Sequence, residues 1–313
     1  MTALAPNHHL PVLWEEAVDA LRPKLGGRYA DGTFGGGGHT RLLLERSAPD
    51  GRVIAFDLDR DAIARGESLQ LGDRLVLINA SFSELYDAAK SADMLPLDGV
   101  LLDLGFSSFQ IDDPDRGFSL RLDGPLDMRF DRSSGPTAAD LVNTLDEQSL
   151  ADLIWRYGED RNSRRIASAL VRERTQRPIE TTAKLAEIVA RASGGQRGKT
   201  HPATRTFQAL RIATNDELAT LEHALAAAVR ALGPGGRLAV ISFHSLEDRI
   251  VKQFIAREST TCVCPPEQPI CTCQTVPTLK PVGKPIKPSD EEIERNFRSR
   301  SAIMRVAERT AER

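Results

Sequence analysis

The chain has 313 residues, and its 41 Lys and Arg residues nearly balance its 44 Asp and Glu residues, which leaves a net charge of −3. This length is sufficient for one large domain or two modest ones. No apolar run approaches the length of a membrane span, and the first ten residues lack the order of a secretory signal peptide. The composition therefore argues against a membrane protein, and we expect a cytoplasmic one without a membrane partner.

The first predicted elements are a helix, a strand, a turn, a second helix and a second strand. Residues 12–21 favour an amphipathic helix, and Arg28–Asp31 favour a short strand that ends in an acid. Four glycines follow at positions 35–38, and an apolar helical run comes directly after them. The next strand covers residues 53–56 and ends at Asp57. This order is typical of a nucleoside-binding β-α-β unit.

The glycine run predicts a ligand site, because a backbone without Cβ atoms can approach a ligand closely at a helix N-terminus. Asp57 suits the two hydroxyls of a ribose. The run is not the G-x-x-x-x-G-K-[ST] loop that binds nucleoside triphosphates. Asp31 would repel a pyrophosphate but accept from an ammonium group, which favours S-adenosylmethionine (SAM) over NAD as the cofactor. A mobile loop that opens a helix is the alternative interpretation.

The later part of the chain continues the alternation of strands and helices. Four more strands are predicted by short apolar runs at residues 75–79, 98–103, 237–243 and 301–306. Asn215 is predicted to cap a helix that runs through Leu232, and residues 233–236 to turn into the strand that follows. The pattern predicts the fold class α/β, with a doubly wound parallel sheet of the Rossmann-like type.

Some 130 residues separate the strand at 98–103 from the one at 237–243, far more than one crossover helix needs. Helical patterns occupy much of this surplus, at residues 138–144, 147–157, 163–174 and 182–192. We therefore predict an inserted helical domain at residues 109–211, between two parts of the sheet domain at 1–108 and 212–313. An insert that leaves the sheet at the end of a strand is well placed to hold a substrate.

Polar residues follow two of the predicted strands at the end where ligands bind in such sheets. Asp103 ends one strand and is followed by Ser107 and Ser108, while His244 follows the strand at 237–243. These four residues are the candidates for catalysis. The alternative interpretation is that they cap turns and strand ends.

Charge is distributed unevenly within the predicted insert. Residues 111–155 carry ten acids and four bases, whereas residues 156–211 carry thirteen bases and five acids. A basic segment of this kind can bind the phosphates of a nucleic acid, and Arg197, Lys199 and Arg205 are candidates for that contact. A solvated helical face is the alternative.

All four cysteines of the chain lie within twelve residues, as Cys262, Cys264, Cys271 and Cys273. Such clustering in a cytoplasmic chain favours a metal over a disulfide. The spacing is C-x-C rather than the usual C-x₂-C, so zinc and a reduced surface loop both stay open. We assign no metal to the activity itself.

Several motifs in a fixed order show that the chain resembles the MraW or RsmH family, the bacterial small-subunit (16S) ribosomal RNA cytosine-N4 methyltransferases. The motifs are His8–Leu13, Asp31–Gly35, Gly37–His39, Leu101–Gly105, Gly124–Arg129, His201–Gln208 and Ile241–Arg249. Phe109 stands where the family pattern has proline. The similarity extends over essentially the whole chain.

The resemblance implies a SAM-dependent enzyme that methylates the N4 amino group of a cytidine in the decoding region, with ribosomal RNA or the small subunit as its partner. It implies SAM contacts at Gly37, Gly38, His39, Asp57, Phe82, Asp103 and Gln110. A methyltransferase of proteins or small molecules is one rival, which the basic insert disfavours. An RNA-binding protein without turnover is another, which the intact glycines and Asp57 disfavour.

Overall fold

The computed structural model describes residues 11–195, 201–262, 264, 272–273 and 275–311. His8, His9, Arg197, Lys199 and Cys271 lie outside the described residues. The chain divides into two compact units, one that runs up to Gly105 and resumes at Leu218, and one that contains Phe106–Glu217. The sequence-based boundaries of 109 and 211 differ from these limits by a few residues at each end.

The first unit contains a seven-stranded sheet in the order β3-β2-β1-β4-β5-β7-β6. Its strands are β1 (Arg28–Asp31), β2 (Arg52–Phe56), β3 (Leu75–Ile78), β4 (Leu97–Asp103), β5 (Leu232–Ser242), β6 (Leu279–Pro281) and β7 (Ile303–Arg309). The first five strands are parallel, and β7 is antiparallel to both β5 and β6. The predicted α/β class is confirmed, and the final strand does return to the sheet.

The α-helices of the described residues are α1 (Trp14–Ala20), α2 (Gly38–Arg46), α3 (Arg60–Ser68), α4 (Leu85–Ser91), α5 (Ser108–Asp112), α6 (Ala138–Thr144), α7 (Glu147–Gly158), α8 (Ser163–Arg174), α9 (Thr182–Ala192), α10 (Thr204–Asn215), α11 (Glu217–Ala231), α12 (Ser245–Glu258) and α13 (Asp290–Arg295). None of these helices is both long enough and apolar enough to cross a bilayer.

Two apolar layers enclose the sheet because successive strand residues point to opposite faces. Ile54 and Leu102 pack into one layer, whereas Val53 and Leu101 pack into the other. All four side chains are buried. Burial on both faces explains why the parallel strands are continuous apolar runs rather than alternating ones.

One local prediction before β5 is wrong. Asn215 does not cap α11 but is the last residue of α10, and its side-chain amide hydrogen-bonds the backbone of Met128 and Phe130. Asp216 has a left-handed φ of 48°, which ends α10 before α11 begins. Residues 233–236 fall within the range of β5, but its register against β4 passes from Leu232 opposite Leu97 directly to Arg237 opposite Gly99, and Gly235 has a φ of 79°. The chain therefore bulges at the predicted turn before it continues as the strand.

The second unit contains α5 through α10 and has an apolar core of its own. Leu150 and Ile154 of α7, Ile166 and Leu170 of α8, and Leu185 of α9 are fully buried within it. Their spacing of three or four residues is the stripe expected for amphipathic helices that face a core.

Candidate active site

The sheet order reverses at β1, whose neighbours are β2 on one side and β4 on the other. Strand connections leave in opposite directions from such a switch point, and ligands of open α/β sheets bind in the crevice at the carboxyl ends of these strands. Asp31 ends β1 and Asp103 ends β4. The structure therefore brings together two of the acids that the sequence singled out.

The glycine turn between β1 and α2 is held by specific contacts. The Phe34 N–H donates to the Phe56 carbonyl at 2.8 Å, and the Gly35 N–H donates to Asp57 Oδ2 at 2.8 Å. Gly37 is the N-cap of α2 with φ of 75°, and a Cβ atom there would lie 2.7 Å from the Phe34 ring. Glycine is required at this position by both the backbone conformation and the packing. This ordered arrangement disfavours the mobile-loop interpretation.

Gly38 is the first residue of α2, and a Cβ atom there would collide with the ring of Pro11. The turn thus places the N-terminus of α2 beside the carboxyl end of β1. A helix N-terminus of this kind favours negatively polarised ligand groups.

Asp57 follows β2 and anchors the turn. Its Oδ2 accepts from the Gly35 N–H, and its Oδ1 accepts from the Asp59 N–H at 2.9 Å. Burial raises the pKa of Asp57 to about 6, although the two backbone donors oppose that effect. The side chain is still partly exposed, and each carboxylate oxygen has a second lone pair. Asp57 can therefore accept further hydrogen bonds from a ligand's hydroxyls.

Phe82 begins the short 3₁₀ turn after β3 and is half-buried. A Cβ atom at Gly32 would lie 3.1 Å from the Phe82 Cβ and would also collide with the Leu102 side chain. The absence of a side chain at Gly32 thus lets Phe82 approach the end of β1. An aromatic ring in this place offers an apolar surface to a flat ligand group.

The buried His39 and the half-buried Asp103 lie close together at the end of β4. His39 Nε2 lies 3.6 Å from Asp103 Oδ2, which is beyond hydrogen-bond length. Both ring nitrogens of His39 and the Oδ1 atom of Asp103 have no hydrogen-bond partner among the described residues. Burial lowers the pKa of His39 to about 4, and it raises the pKa of Asp103 well above its ordinary value. The imidazole is therefore neutral at neutral pH.

Asp31, by contrast, accepts hydrogen bonds on both of its carboxylate oxygens. Thr40 Oγ1 donates to its Oδ2 at 2.7 Å, and the Thr33 N–H donates to its Oδ1 at 3.1 Å. Thr33 Oγ1 in turn accepts from the Asp103 N–H at 2.8 Å, which ties the end of β4 to the turn. Burial raises the pKa of Asp31 to about 6. The sequence analysis missed Thr33 and Thr40, although both hydroxyls lie within the glycine motif.

His244 follows β5 and is the N-cap of α12. Its Nδ1 accepts from the Glu247 N–H at 3.4 Å, and its Nε2 lies 3.1 Å from Glu247 Oε1 without hydrogen-bond alignment. The imidazole also lines a cavity of about 500 Å³ together with Arg249 and Lys252. His244 thus has the capping role that was the alternative interpretation, and it also borders a space that a ligand can enter.

Ser107, Ser108 and Gln110 belong to the second unit. Ser107 is the N-cap of α5, where its Oγ accepts from the Gln110 N–H at 3.3 Å and Gln110 Oε1 accepts from the Ser107 N–H at 2.9 Å. This capping box fixes both side chains. Ser108 is half-buried as the first residue of α5.

Exposed arginines and an exposed indole occur in the stretch where α7 ends and α8 begins, and Arg205 of α10 joins them through Glu159. We call this group the α7–α8 corner, and its members are Trp155, Arg156, Arg161, Arg164, Arg165 and Arg205. Trp155 is 56% exposed. Arg205 donates to the Glu159 carbonyl at 3.1 Å, and the other four arginines form no ion pair with a described residue. Sequence reasoning noted the charge but missed Trp155, which lies one position beyond the buried Ile154.

A parallel sheet with this strand order, a glycine turn at its switch point and an acid after β2 defines a nucleoside-binding α/β protein. The family model of the MraW methylase family matches residues 6–310. The chain belongs to this family, which confirms the resemblance seen in the sequence.

Two relatives have nearly the same length. The protein named "Ribosomal RNA small subunit methyltransferase H" from Thermomicrobium roseum is 54% identical over 306 residues, which cover 97% of this chain and 94% of the relative. The protein of the same name from Symbiobacterium thermophilum is 51% identical over 304 residues, which cover 96% of each chain. A crystal structure of an rRNA methylase from Streptococcus thermophilus aligns with 97% of this chain and with 99% of its own chain. The identity is 11% and the TM-score is 0.44.

SAM is the cofactor of this family of methyltransferases. The residues of the first unit fit it. SAM carries an ammonium and a sulfonium group, and the buried Oδ1 atom of Asp103 lacks a partner that a cation or its N–H groups would supply. Asp57, with lone pairs left on both oxygens, matches the ribose hydroxyls, and the half-buried Phe82 matches a flat base.

Proposed function

We propose that this chain transfers the methyl group of SAM to the N4 amino group of a cytidine in the decoding region of small-subunit ribosomal RNA. The observation that carries the proposal is the pair of the buried His39 and the half-buried Asp103, with unpartnered polar atoms at the carboxyl end of β4. The names of the relatives support ribosomal RNA of the small subunit as the substrate.

SAM supplies an electrophilic methyl group, so the protein's task is to present the amine and remove its proton. The lone pair of the cytosine amine is delocalised into the ring, and an acceptor aimed at the amino hydrogens makes the nitrogen a better nucleophile. Asp103 is the acceptor in this proposal. A bound cation lowers the raised pKa of Asp103, so that its carboxylate is charged when cofactor and substrate are both present.

The remaining site residues have supporting roles in the proposal. Gly37, Gly38 and His39 form the edge of the cofactor site, Asp57 binds the ribose, and Phe82 contacts the base. Gln110 contributes a further SAM contact. Ser107 and Ser108 offer hydroxyls to the cytosine, and His244 offers an imidazole beside its cavity. The target base leaves any stack to reach these groups.

The α7–α8 corner is the proposed contact for RNA outside the target nucleotide. Its unpaired arginines suit phosphates, since each neutralised phosphate releases counterions from the RNA. Trp155 presents an indole on which an unstacked base can lie. Neither a protein substrate nor a small molecule requires such a surface.

The test is methyl transfer from labelled SAM to small ribosomal subunits prepared from cells that lack this enzyme. We expect label in the RNA, recovered as N4-methylcytidine at one position when the digested nucleosides and fragments are analysed by mass spectrometry. Label on ribosomal protein, or SAM binding without any transfer, would support one of the two rival functions instead. The Asp103→Asn variant is the control for contaminating methyltransferases.

A further inference from the structure

The segment that connects α12 to β6 begins and ends at neighbouring residues, because Thr278 hydrogen-bonds Glu258. The Thr278 N–H donates to the Glu258 carbonyl at 2.8 Å, and Thr278 Oγ1 donates to Glu258 Oε2 at 2.6 Å. Arg309 of β7 also donates to the Thr278 carbonyl, at 3.1 Å. These bonds close the base of the connection, so the arm that follows α12 and the arm that precedes β6 start side by side.

The described cysteines lie on these two arms. Cys262 and Cys264 are on the first arm and Cys273 is on the second, and their three Sγ atoms lie within 4.8 Å of one another. The Sγ atoms of Cys262 and Cys273 are 3.7 Å apart. In the sequence, all four cysteines of the chain fall within positions 262–273.

We propose that Cys262, Cys264 and Cys273 bind a zinc ion as thiolates, at a structural site that is separate from the methyl-transfer site. A zinc–sulfur bond of about 2.3 Å in a tetrahedron places neighbouring sulfurs roughly 3.8 Å apart. The Cys262–Cys273 separation already matches that edge. Three soft sulfur ligands select zinc over the hard ions magnesium and calcium.

The surroundings of Cys264 support thiolate ligation. Backbone N–H groups of Cys273 and Thr272 donate hydrogen bonds to its sulfur. Such donors stabilise a negative sulfur, which is the form that binds metal. A disulfide would join only two of the three sulfurs and would need a separation of about 2.05 Å.

The position of the cluster indicates what the ion does. Helix α12 has 14 residues, and a helix of that length is about 20 Å long. His244 lies at its N-terminal end, and the cysteines follow its C-terminal end. A zinc ion there links two arms that are eleven positions apart in sequence and contacts no group of the methyl-transfer site. It would stabilise the connection that leads to β6 at the edge of the sheet.

The test uses the full chain without an affinity tag, kept reduced with a phosphine and supplied with zinc before desalting. We expect about one zinc ion per chain by elemental analysis, and a thiolate-to-metal charge-transfer band when cobalt replaces zinc. Cys262→Ser, Cys264→Ser and Cys273→Ser should each weaken zinc binding at least roughly tenfold in competition with a chromogenic chelator. Thr261→Ser is the matched control and should bind zinc as the parent does.

X-ray absorption of the zinc-loaded parent makes the test independent of variant folding, and it should show at least three sulfur neighbours at about 2.3 Å. The proposal is overturned if the reduced parent holds no more zinc than the triple Ser variant. It is also overturned if the absorption spectrum shows only nitrogen and oxygen neighbours, or if thiol titration finds the cysteines paired as a disulfide in the protein isolated without reductant. Since SAM binding is measured separately, none of these outcomes bears on the proposed methyl transfer.

Discussion

A buried polar atom without a partner costs about 1–3 kcal/mol, so a folded protein rarely keeps several of them in one place. His39 and Asp103 nevertheless leave three such atoms at the end of β4. The adjacent Asp31 shows that the same region can satisfy an acid, since two threonines donate to it. We interpret the unsatisfied pair as groups that are positioned in advance for a ligand and a substrate.

Asp103→Asn is expected to lower the rate of methyl transfer at saturating SAM and RNA by about 10²-fold or more. The amide keeps the size of the side chain but cannot take up a proton, and one of its two acceptor atoms becomes a donor. Steady-state kinetics on small subunits measure this effect. If only the affinity for SAM falls and the saturated rate is unchanged, Asp103 is a cofactor ligand and has no part in catalysis.

The raised pKa of Asp31 leads to a prediction about how the stability of the folded chain depends on pH. Its pKa is raised from 3.8 to about 6 in the folded chain because it is buried, so the folded state binds the proton more tightly than the unfolded state does. The contribution of Asp31 to stability is therefore greatest below about pH 4 and is lost as the pH rises to about 6. The total change is about 3 kcal/mol at most.

The variant Asp31→Asn does not titrate, so its free energy of unfolding should rise relative to the parent's between pH 4 and pH 6.5. Urea denaturation at several pH values measures the difference. Asp140→Asn is the control, because hydrogen bonds from Thr137 lower the pKa of Asp140 and its effect is constant above about pH 4. A parent-to-Asp31→Asn difference that does not vary with pH would show that Asp31 is ionised throughout.

At the scale of elements, the sequence predicted four helices of the second unit, α6 to α9, but not α5 or α10. Helices α6, α8 and α9 have the predicted bounds, because each combines an amphipathic stripe with clear ends. Asn215 was predicted to cap α11 because an Asn before an apolar helix is a common N-cap. In the structure its amide is used by the backbone of Met128 and Phe130, a tertiary contact that local sequence does not contain.

The candidate site was predictable to the extent that strand ends define it. Asp31, Asp57 and Asp103 were found because each acid follows a buried apolar run. The close approach of His39 to Asp103 was not predictable, since the two residues are far apart in sequence and meet only through the strand order. The cap roles of Ser107 and His244 likewise depend on where α5 and α12 begin.

The α7–α8 corner provides a prediction at the element scale. Arg161→Ala and Arg164→Ala should each weaken RNA binding and lower the slope of log affinity against log salt by about one unit. Trp155→Ala should cost about 1–3 kcal/mol of RNA affinity while leaving that slope unchanged, because stacking releases no counterions. Filter binding or fluorescence anisotropy at several salt concentrations measures both quantities.

Arg191→Ala is the matched control for charge. It removes the same charge from the same unit, but Arg191 already pairs with Glu173 at 2.6 Å and with Glu187 at 3.5 Å. We expect it to change RNA affinity and the salt slope less than either corner arginine does. If Arg191→Ala lowers the slope by as much as Arg164→Ala, the RNA responds to the net charge of the unit and not to the corner.

At the scale of the whole molecule, the two units have separate cores, and the proposed function assigns most cofactor contacts to the first unit and the α7–α8 corner to the second. A unit that folds around its own core can respond to a ligand without rearrangement of the other's core. Most of the proposed cofactor residues, among them Gly37, Asp57 and Phe82, lie in the first unit, whereas the α7–α8 corner lies in the second. Each ligand should therefore leave its own pattern of protection.

Hydrogen exchange measured by mass spectrometry tests this division. SAM should slow exchange in peptides that cover residues 31–40 and 57–59, because the turn and the start of α3 are joined through the Asp57 carboxylate. Small-subunit RNA should slow exchange in peptides that cover residues 155–165, with or without SAM. In the Asp57→Asn variant, protection of residues 31–40 and 57–59 should require more SAM, since a charge-assisted hydrogen bond worth about 1.5–3 kcal/mol is lost. Protection of residues 155–165 by RNA should stay unchanged. Protection of residues 155–165 by SAM alone would contradict the division, because it would mean that the cofactor acts on the corner directly.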